Sequence, residues 1–84
     1  MDFMITSVDD VSRQVHYSIN KVGSKYAVRA YNDKNGRSVS RTFDELMEAY
    51  KVFEKIVSWV VFGLYADNDR MDFIEKGTMR RREQ

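Results

Sequence analysis

Few side chains in this sequence could act as a base, a nucleophile or a metal ligand near neutral pH. The chain has one histidine, His16, and no cysteine. Catalysis through a serine would need His16 beside that serine, with a carboxylate to orient the imidazole. His16 lies beside Ser18 on the polar face of an alternating run, and no carboxylate is obvious in register with it. We interpret His16 as a surface residue and predict no catalytic residue and no enzymatic activity.

The acidic residues near the C-terminus are spaced somewhat like the ligands of a calcium-binding loop. They are Asp67, Asp69, Asp72 and Glu75. Met71 occupies a ligand position, however, and the turn glycine of such loops is missing. Capping of a following helix explains the first of these acids better. Without cysteine no thiolate zinc site can form, and the four separated glycines make no phosphate-binding loop. We therefore predict no metal and no cofactor.

Length and composition indicate one small domain. The chain has 84 residues, a net charge of +1 and 43% hydrophobic residues. A domain of this size has marginal stability and often needs a staple or self-association. The longest apolar run, residues 56–66, is too short to span a bilayer, and no signal peptide is recognisable at the N-terminus. We expect a cytoplasmic protein with no membrane partner.

Alternation of apolar and polar residues predicts four short strands in the first half of the chain. Val15, Tyr17 and Ile19, for example, share one face of the second strand. The pair Asn35-Gly36 favours a tight hairpin turn. Connections this short allow only antiparallel neighbours, which predicts a meander. The predicted strands span residues 3–8, 13–21, 25–32 and 37–41.

The repeat changes from two residues to 3.6 residues at the segment that begins with Thr42. Thr42 and Glu45 can form a capping box, in which each side chain bonds to the other residue's amide. We predict a helix over residues 43–63, a short helix over 69–76 and a frayed tail over 79–84. The predicted fold class is α+β, with a four-stranded antiparallel meander packed on the long helix. The predicted core comprises Val15, Tyr17, Ile19, Tyr26, Val28, Val39, Leu46, Tyr50, Phe53, Ile56 and Val60.

The distal end of the long helix has more apolar side chains than one sheet can bury. A helix over residues 43–62 is about 30 Å long, whereas an eight-residue strand is about 26 Å. Two structures could bury these apolar side chains. The short second helix could place Met71 and Ile74 on Trp59 and Phe62, or another protein molecule could bind there. Exposed aromatic and apolar patches on small domains are typical of protein interfaces. The predicted partner or homodimer interface comprises Trp59, Val61, Phe62, Tyr65 and Met71.

A basic strand face favours an alternative function, the binding of nucleic acid. Lys25, Arg29 and Tyr31 share one face of the third strand, and sheets that bind single strands combine basic side chains with stacking aromatics. Basic residues on strands also protect sheet edges from pairing. A protein partner is therefore the first prediction and nucleic acid the second. The predicted nucleic-acid contacts are Lys25, Arg29, Tyr31, Arg37, Arg80, Arg81 and Arg82.

A basic hairpin that leads into the helix starting at Phe43-Asp44-Glu45-Leu46, in a cysteine-free chain, resembles the small accessory proteins of bacteriophages and mobile elements, anti-CRISPR proteins included. The resemblance is architectural, covers Tyr26 to about Leu64 and contains no diagnostic motif. Many such inhibitors are strongly acidic DNA mimics, whereas this chain is near neutral. The resemblance implies a non-enzymatic inhibitor or regulator of a host defence protein that acts by protein binding.

Overall fold

The computed structural model describes residues 2–79, which form a four-stranded antiparallel sheet and two helices. The strands are β1 (Phe3–Asp10), β2 (Val15–Val22), β3 (Lys25–Asn32) and β4 (Ser38–Phe43), and the helices are α1 (Leu46–Phe62) and α2 (Asp67–Lys76). The strand order β1-β2-β3-β4 confirms the predicted meander, and the α+β class is confirmed with it. Neither helix of this described region is long and apolar enough to cross a membrane.

The sheet has one face covered by the helices and one open face. Val8, Tyr17, Ala30 and Val39 lie opposite one another in a row that crosses all four strands. This row belongs to the covered face, where Tyr17 is fully buried and Ala30 and Val39 are nearly so. Side chains alternate between faces along a strand. The intervening positions therefore form the open face, and their side chains are mostly polar.

The long helix begins at Leu46, and the predicted cap at Thr42 is wrong. Thr42 belongs to β4, where it lies opposite Ala27. Glu45 is the N-cap residue, with an extended backbone and no capping hydrogen bond from its side chain. Strand β4 extends beyond its predicted end at residue 41, because Thr42 and Phe43 also pair with β3 and Phe43 packs against the core. The helix then ends at Phe62, with Gly63 in the left-handed conformation at φ 67°.

The core lies between the covered face and the two helices. Val15, Tyr17, Ile19, Val28, Val39, Phe53 and Ile56 are buried as predicted. Tyr26 and Val60 are half-buried against this core. The prediction was wrong for Leu46 and Tyr50, which are 39% and 43% exposed. Helix α1 meets the sheet through Ala49, Val52, Phe53 and Ile56, so Leu46 and Tyr50 lie on its flank.

Helix α2 packs along β4 and supplies the rest of the core. Met71 and Ile74 are fully buried there as members of the main cluster, whereas Phe62 is exposed and does not belong to it. The predicted acidic cap of α2 is also wrong. Its N-cap is Ala66, without a side-chain hydrogen bond. Asp67 instead pairs with Arg13, because the β1–β2 loop lies against the start of this helix.

Candidate functional site

A fully buried arginine fixes the turn between α1 and α2. The Arg70 guanidinium donates through Nε to the Leu64 carbonyl at 2.8 Å, through Nη2 to the Trp59 carbonyl at 3.0 Å and through Nη1 to Asp10 Oδ2 at 2.8 Å. Helix C-termini leave backbone carbonyls without intrahelical partners, and Arg70 supplies donors for two carbonyls at this end. Burial alone would raise the pKa of Asp10, but hydrogen bonds from Arg70 and Ser12 and the charge of Arg70 hold it below its usual value.

A second arginine ties the same turn to the loop between β1 and β2. Arg13 Nη1 donates to the Tyr65 carbonyl at 2.9 Å and to Asp67 Oδ1 at 3.2 Å. Tyr65 itself has a φ of 66°, a left-handed conformation that is uncommon for a residue with a side chain. The C-terminal end of α1 and the following turn are therefore held in one geometry by contacts from the β1–β2 loop and from α2.

An aromatic cluster supports this end of α1 from the α2 side. The Trp59 ring meets Tyr65 edge-on at 4.8 Å between centroids and Phe73 at 5.1 Å. Trp59 and Tyr65, predicted as interface residues, are half-buried by the chain's own aromatic side chains. Met71 is fully buried in the core, so the structure contradicts its assignment to an accessible interface. Phe73 of α2 covers Trp59. The predicted packing, with Met71 and Ile74 on Trp59, did not include it.

Beyond this cluster, three apolar side chains remain exposed and form what we call the distal patch. Val61 is 67% exposed, Phe62 is 72% exposed and Leu64 is 46% exposed. The predicted interface residues Val61 and Phe62 are thus accessible, and Leu64 is an addition to them. No charged residue occurs between Ile56 and Ala66. The patch is consequently apolar and uncharged, and it rests on a backbone that Arg70 holds fixed.

Other exposed apolar side chains lie away from the distal patch. Leu46, Met47 and Tyr50 line a hollow of about 320 Å³ at the start of α1. The 17 residues of α1 span about 26 Å between that hollow and the patch. Phe3 and Met4, at 54% and 59% exposure, lie at the start of the edge strand β1. Neither group has an aromatic cluster or a buried arginine contact beneath it comparable to that at the distal patch.

The open sheet face carries a shallow polar hollow of about 480 Å³. The strand register places Ser18, Arg29 and Ser40 side by side in one row across β2, β3 and β4. The neighbouring row contains His16, Tyr31 and Ser38. Hydroxyl groups therefore flank the single guanidinium on both sides, with an aromatic ring two positions farther along its strand.

Two of the six basic residues predicted to contact nucleic acid, Lys25 and Arg37, form ion pairs within the protein. Lys25 forms an ion pair with Asp44, and this hydrogen bond lowers the pKa of the Asp44 carboxyl. Arg37 donates to Asn68 at 2.9 Å and to Asp72 at 2.8 Å, which links the β3–β4 connection to α2. Arg37 is therefore paired with α2, and its contact with nucleic acid stays a prediction.

Two of the predicted nucleic-acid contacts are accessible on the open face. Arg29 is exposed and pairs with no carboxylate within residues 2–79, and Tyr31 is 45% exposed. The remaining predicted contacts, Arg80, Arg81 and Arg82, lie outside the described residues, as does most of the predicted frayed tail.

His16 is held between two carboxylates, contrary to the expectation that none is in register with it. Its Nδ1 lies 3.0 Å from Asp9 Oδ1, directly across the β1–β2 ladder, and its Nε2 lies 2.7 Å from Asp33 Oδ2 in the β3–β4 turn. The hydrogen bonds to Asp33 and then to Asp9 raise the pKa of His16 above its usual value. With both ring nitrogens bonded to carboxylates, the imidazole links β1 to the β3–β4 turn, a contact that we call the His16 clip, and has no free nitrogen to serve as a base.

We expect Asp33→Asn to lower the pKa of His16, because it removes the charge next to Nε2. A ¹H NMR titration of the imidazole Cε1 proton measures this pKa directly. The raised folded-state pKa stabilises the fold below the unfolded-state value near 6.5, and this contribution is lost as pH rises through the folded-state pKa. Asp44→Asn removes an exposed carboxylate that does not touch the ring and is the matched control. Equal pKa values in wild type and Asp33→Asn would contradict the His16 clip.

Two accessible features therefore remain as candidate sites, the apolar distal patch and the polar open face. Among residues 2–79 no group of three or more His, Asp or Glu side chains is arranged to hold a metal ion. Comparison of the chain with protein-family models, with curated proteins and with solved structures found no match.

Proposed function

We propose that the protein is a non-enzymatic interaction protein that acts by protein–protein binding through the distal patch. The observation that supports this proposal most directly is the 67% and 72% exposure of Val61 and Phe62 on a fixed helix end. Large apolar and aromatic side chains on a rigid support lose little conformational entropy on binding, so more of the burial energy appears as affinity. The underlying aromatic cluster of Trp59, Tyr65 and Phe73 supplies that support.

A second copy of the chain is the partner that best fits the patch. A two-fold dimer brings a surface against itself, so its centre must tolerate its own side chains. The uncharged stretch from Ile56 to Ala66 meets this condition because no like charges oppose each other. Phe62 of one copy can then pack on Val61 and Leu64 of the other. Burial of this patch would also add apolar contact area to a domain whose own core is small.

The proposal includes a regulatory role, in which the same surface binds and inhibits a host protein, as the resemblance to small phage accessory proteins suggests. An apolar patch that is shared between self-association and partner binding makes the two events mutually exclusive. Substitutions in the patch would then impair both events. The near-neutral net charge of +1 favours recognition through apolar contacts over charge mimicry.

The test is analytical ultracentrifugation of the wild type beside Phe62→Asp and Met47→Asp. We expect the wild type to sediment as a dimer at about 100 micromolar, and Phe62→Asp to sediment as a monomer. Met47 is 64% exposed near the start of α1, so Met47→Asp places the same charge on the same helix outside the patch. We expect it to remain dimeric.

A wild type that stays monomeric over the whole concentration range would refute self-association. Equal weakening by Phe62→Asp and Met47→Asp would show that association uses a different or larger surface. Circular dichroism of the three proteins checks that each remains folded. Because both positions are largely exposed, we expect the free energies of unfolding of the monomers to agree within about 0.5 kcal/mol.

A further inference from the structure

We propose that the open sheet face binds one nucleotide unit, with the phosphate at Arg29 and the base on Tyr31. The inference is independent of the distal patch, which lies at the C-terminal end of α1. It rests on an unpaired guanidinium, on hydroxyl donors that flank it and on an exposed ring on the same strand. A free nucleotide and one unit of a single-stranded nucleic acid share this chemistry, and the experiment below separates them.

Arg29 is the centre of the proposed site because its charge is not compensated within the described chain. It is exposed and forms no ion pair with any carboxylate of residues 2–79. Ser18 lies opposite it on β2 and Ser40 opposite it on β4. Guanidinium groups bind phosphate oxygens through paired N–H donors, and the adjacent hydroxyls can donate to the remaining oxygens.

The hydroxyl of Ser18 is already oriented by a neighbour. Asn20 Nδ2 donates to Ser18 Oγ at 2.8 Å. This bond occupies a lone pair of the hydroxyl and leaves its proton available to an acceptor other than Asn20. An anion beside Arg29 would accept that proton, so the hydrogen bond from Asn20 predisposes Ser18 to act as a donor at the site.

Tyr31 supplies a surface for an aromatic base. It lies two residues after Arg29 on β3, on the same face, and is 45% exposed. Two strand positions are about 7 Å apart, which allows one ligand to reach both side chains. Base stacking on an exposed aromatic ring tolerates any base. The site is therefore expected to select the phosphate and an aromatic ring and to discriminate little among bases.

The surrounding charges favour one nucleotide over a long strand. The His16 imidazole lies next to Tyr31 but between Asp9 and Asp33, and Glu75 lines the hollow. These carboxylates oppose a second and third phosphate along the sheet. A basic groove that follows a nucleic-acid backbone needs several unpaired cations, whereas Arg29 is the one unpaired Lys or Arg among the described residues that line the hollow.

The experiment is an NMR titration of the ¹⁵N-labelled protein with inorganic phosphate, uridine, uridine 5′-monophosphate and an eight-residue oligouridylate at about 50 mM salt. We expect the monophosphate to shift the Arg29 and Tyr31 amide signals more than phosphate or uridine does. Tyr31→Ala should weaken the monophosphate about tenfold and leave inorganic phosphate unchanged. Arg29→Gln should abolish both interactions. Lys34→Gln removes an exposed cation from the neighbouring turn and should bind as the wild type does.

Other outcomes distinguish a free nucleotide from a nucleic-acid strand as the ligand, or overturn the proposal. An oligouridylate that binds at least tenfold more tightly than the monophosphate, through the same signals, identifies a nucleic-acid strand as the source. Equal affinities identify the free nucleotide. If Arg29→Gln binds the monophosphate normally, or if Lys34→Gln loses as much affinity as Arg29→Gln, there is no specific site at Arg29. If an oligoglutamate peptide competes for the site more strongly than phosphate does, the preferred ligand is an acidic peptide. That result would refute the proposal of a nucleotide site.

Discussion

Arg70→Ala should reduce the free energy of unfolding by about 3 to 5 kcal/mol, the usual cost of breaking a buried ion pair by removing one partner. The substitution leaves the Asp10 carboxylate, 11% exposed, without its closest cation. It also removes the Arg70 donor from the Leu64 carbonyl and one donor from the Trp59 carbonyl, which still accepts from the Leu64 amide at 2.8 Å. A domain of 84 residues has a total stability of roughly 4 to 13 kcal/mol. Urea denaturation at pH 7 should therefore show an unfolding midpoint well below that of the wild type.

The pH dependence distinguishes this mechanism from a simple packing defect. Arg70 lowers the folded-state pKa of Asp10, so the resulting stabilisation is present above the unfolded-state pKa and lost as pH falls through the folded-state value. The difference in stability between wild type and Arg70→Ala should shrink as the solution is acidified. A difference that is constant from pH 7 to pH 3 would contradict the ion pair as the cause.

Arg13→Ala is the control for Arg70→Ala, because it also removes a cation bonded to a carbonyl and a carboxylate of the same turn. The Arg13 side chain is 37% exposed, and exposed ion pairs contribute little to stability. We expect a loss of about 1 kcal/mol or less. A loss as large as that of Arg70→Ala would mean that burial is not what makes Arg70 important.

Ile74→Ala should cost about 2 to 5 kcal/mol, because it opens a cavity in a fully buried position. The result would show that α2 is an integral layer of the fold along β4. Leu46→Ala is the matched comparison, since Leu46 was predicted in the core from its spacing but is 39% exposed. We expect a loss of about 1 kcal/mol or less there. Equal losses at the two positions, in parallel urea titrations, would contradict the observed placement of α1.

The sheet could be predicted from the sequence because alternation and turn residues are local signals. Val15, Tyr17 and Ile19 specify one face of β2 by themselves, and short connections leave only the meander. The angle at which α1 rests on the sheet has no such local signal. This angle depends on α2, which occupies the space over β4 and brings Phe73 against Trp59. The prediction therefore placed Leu46 and Tyr50 in the core, although they are exposed.

The importance of Arg70 could not be recognised because buried arginines are rare and its partners are distant in sequence. Asp10 lies 60 residues away. A weak signal existed, since Arg70 and Ile74 are one helical turn apart and so share a face with Met71. Two residues of the distal patch, Val61 and Phe62, were predictable, because they fall outside the apolar stripe of α1. The third, Leu64, was not, because it lies in the turn that Arg70 fixes by bonding to the Leu64 carbonyl.

The carboxylate partners of His16 were missed for a related reason. The pairing of His16 with Asp9 requires the β1–β2 register, and its pairing with Asp33 requires the position of the β3–β4 turn. Register fixes which residues face each other across a sheet, and the predicted first strand stopped at residue 8, one residue short of Asp9. An error of two residues at the end of the first strand was thus enough for the pairing of His16 with Asp9 to be missed.

Isotope-filtered NMR on a mixture of labelled and unlabelled protein records contacts between copies, so it shows whether the distal patch binds a second copy of the chain. We predict intermolecular nuclear Overhauser effects from the Phe62 ring of one copy to the Val61 and Leu64 methyl groups of the other. Contacts confined to β1 residues such as Phe3, or the absence of any intermolecular contact at millimolar concentration, would contradict a distal patch that binds a second copy.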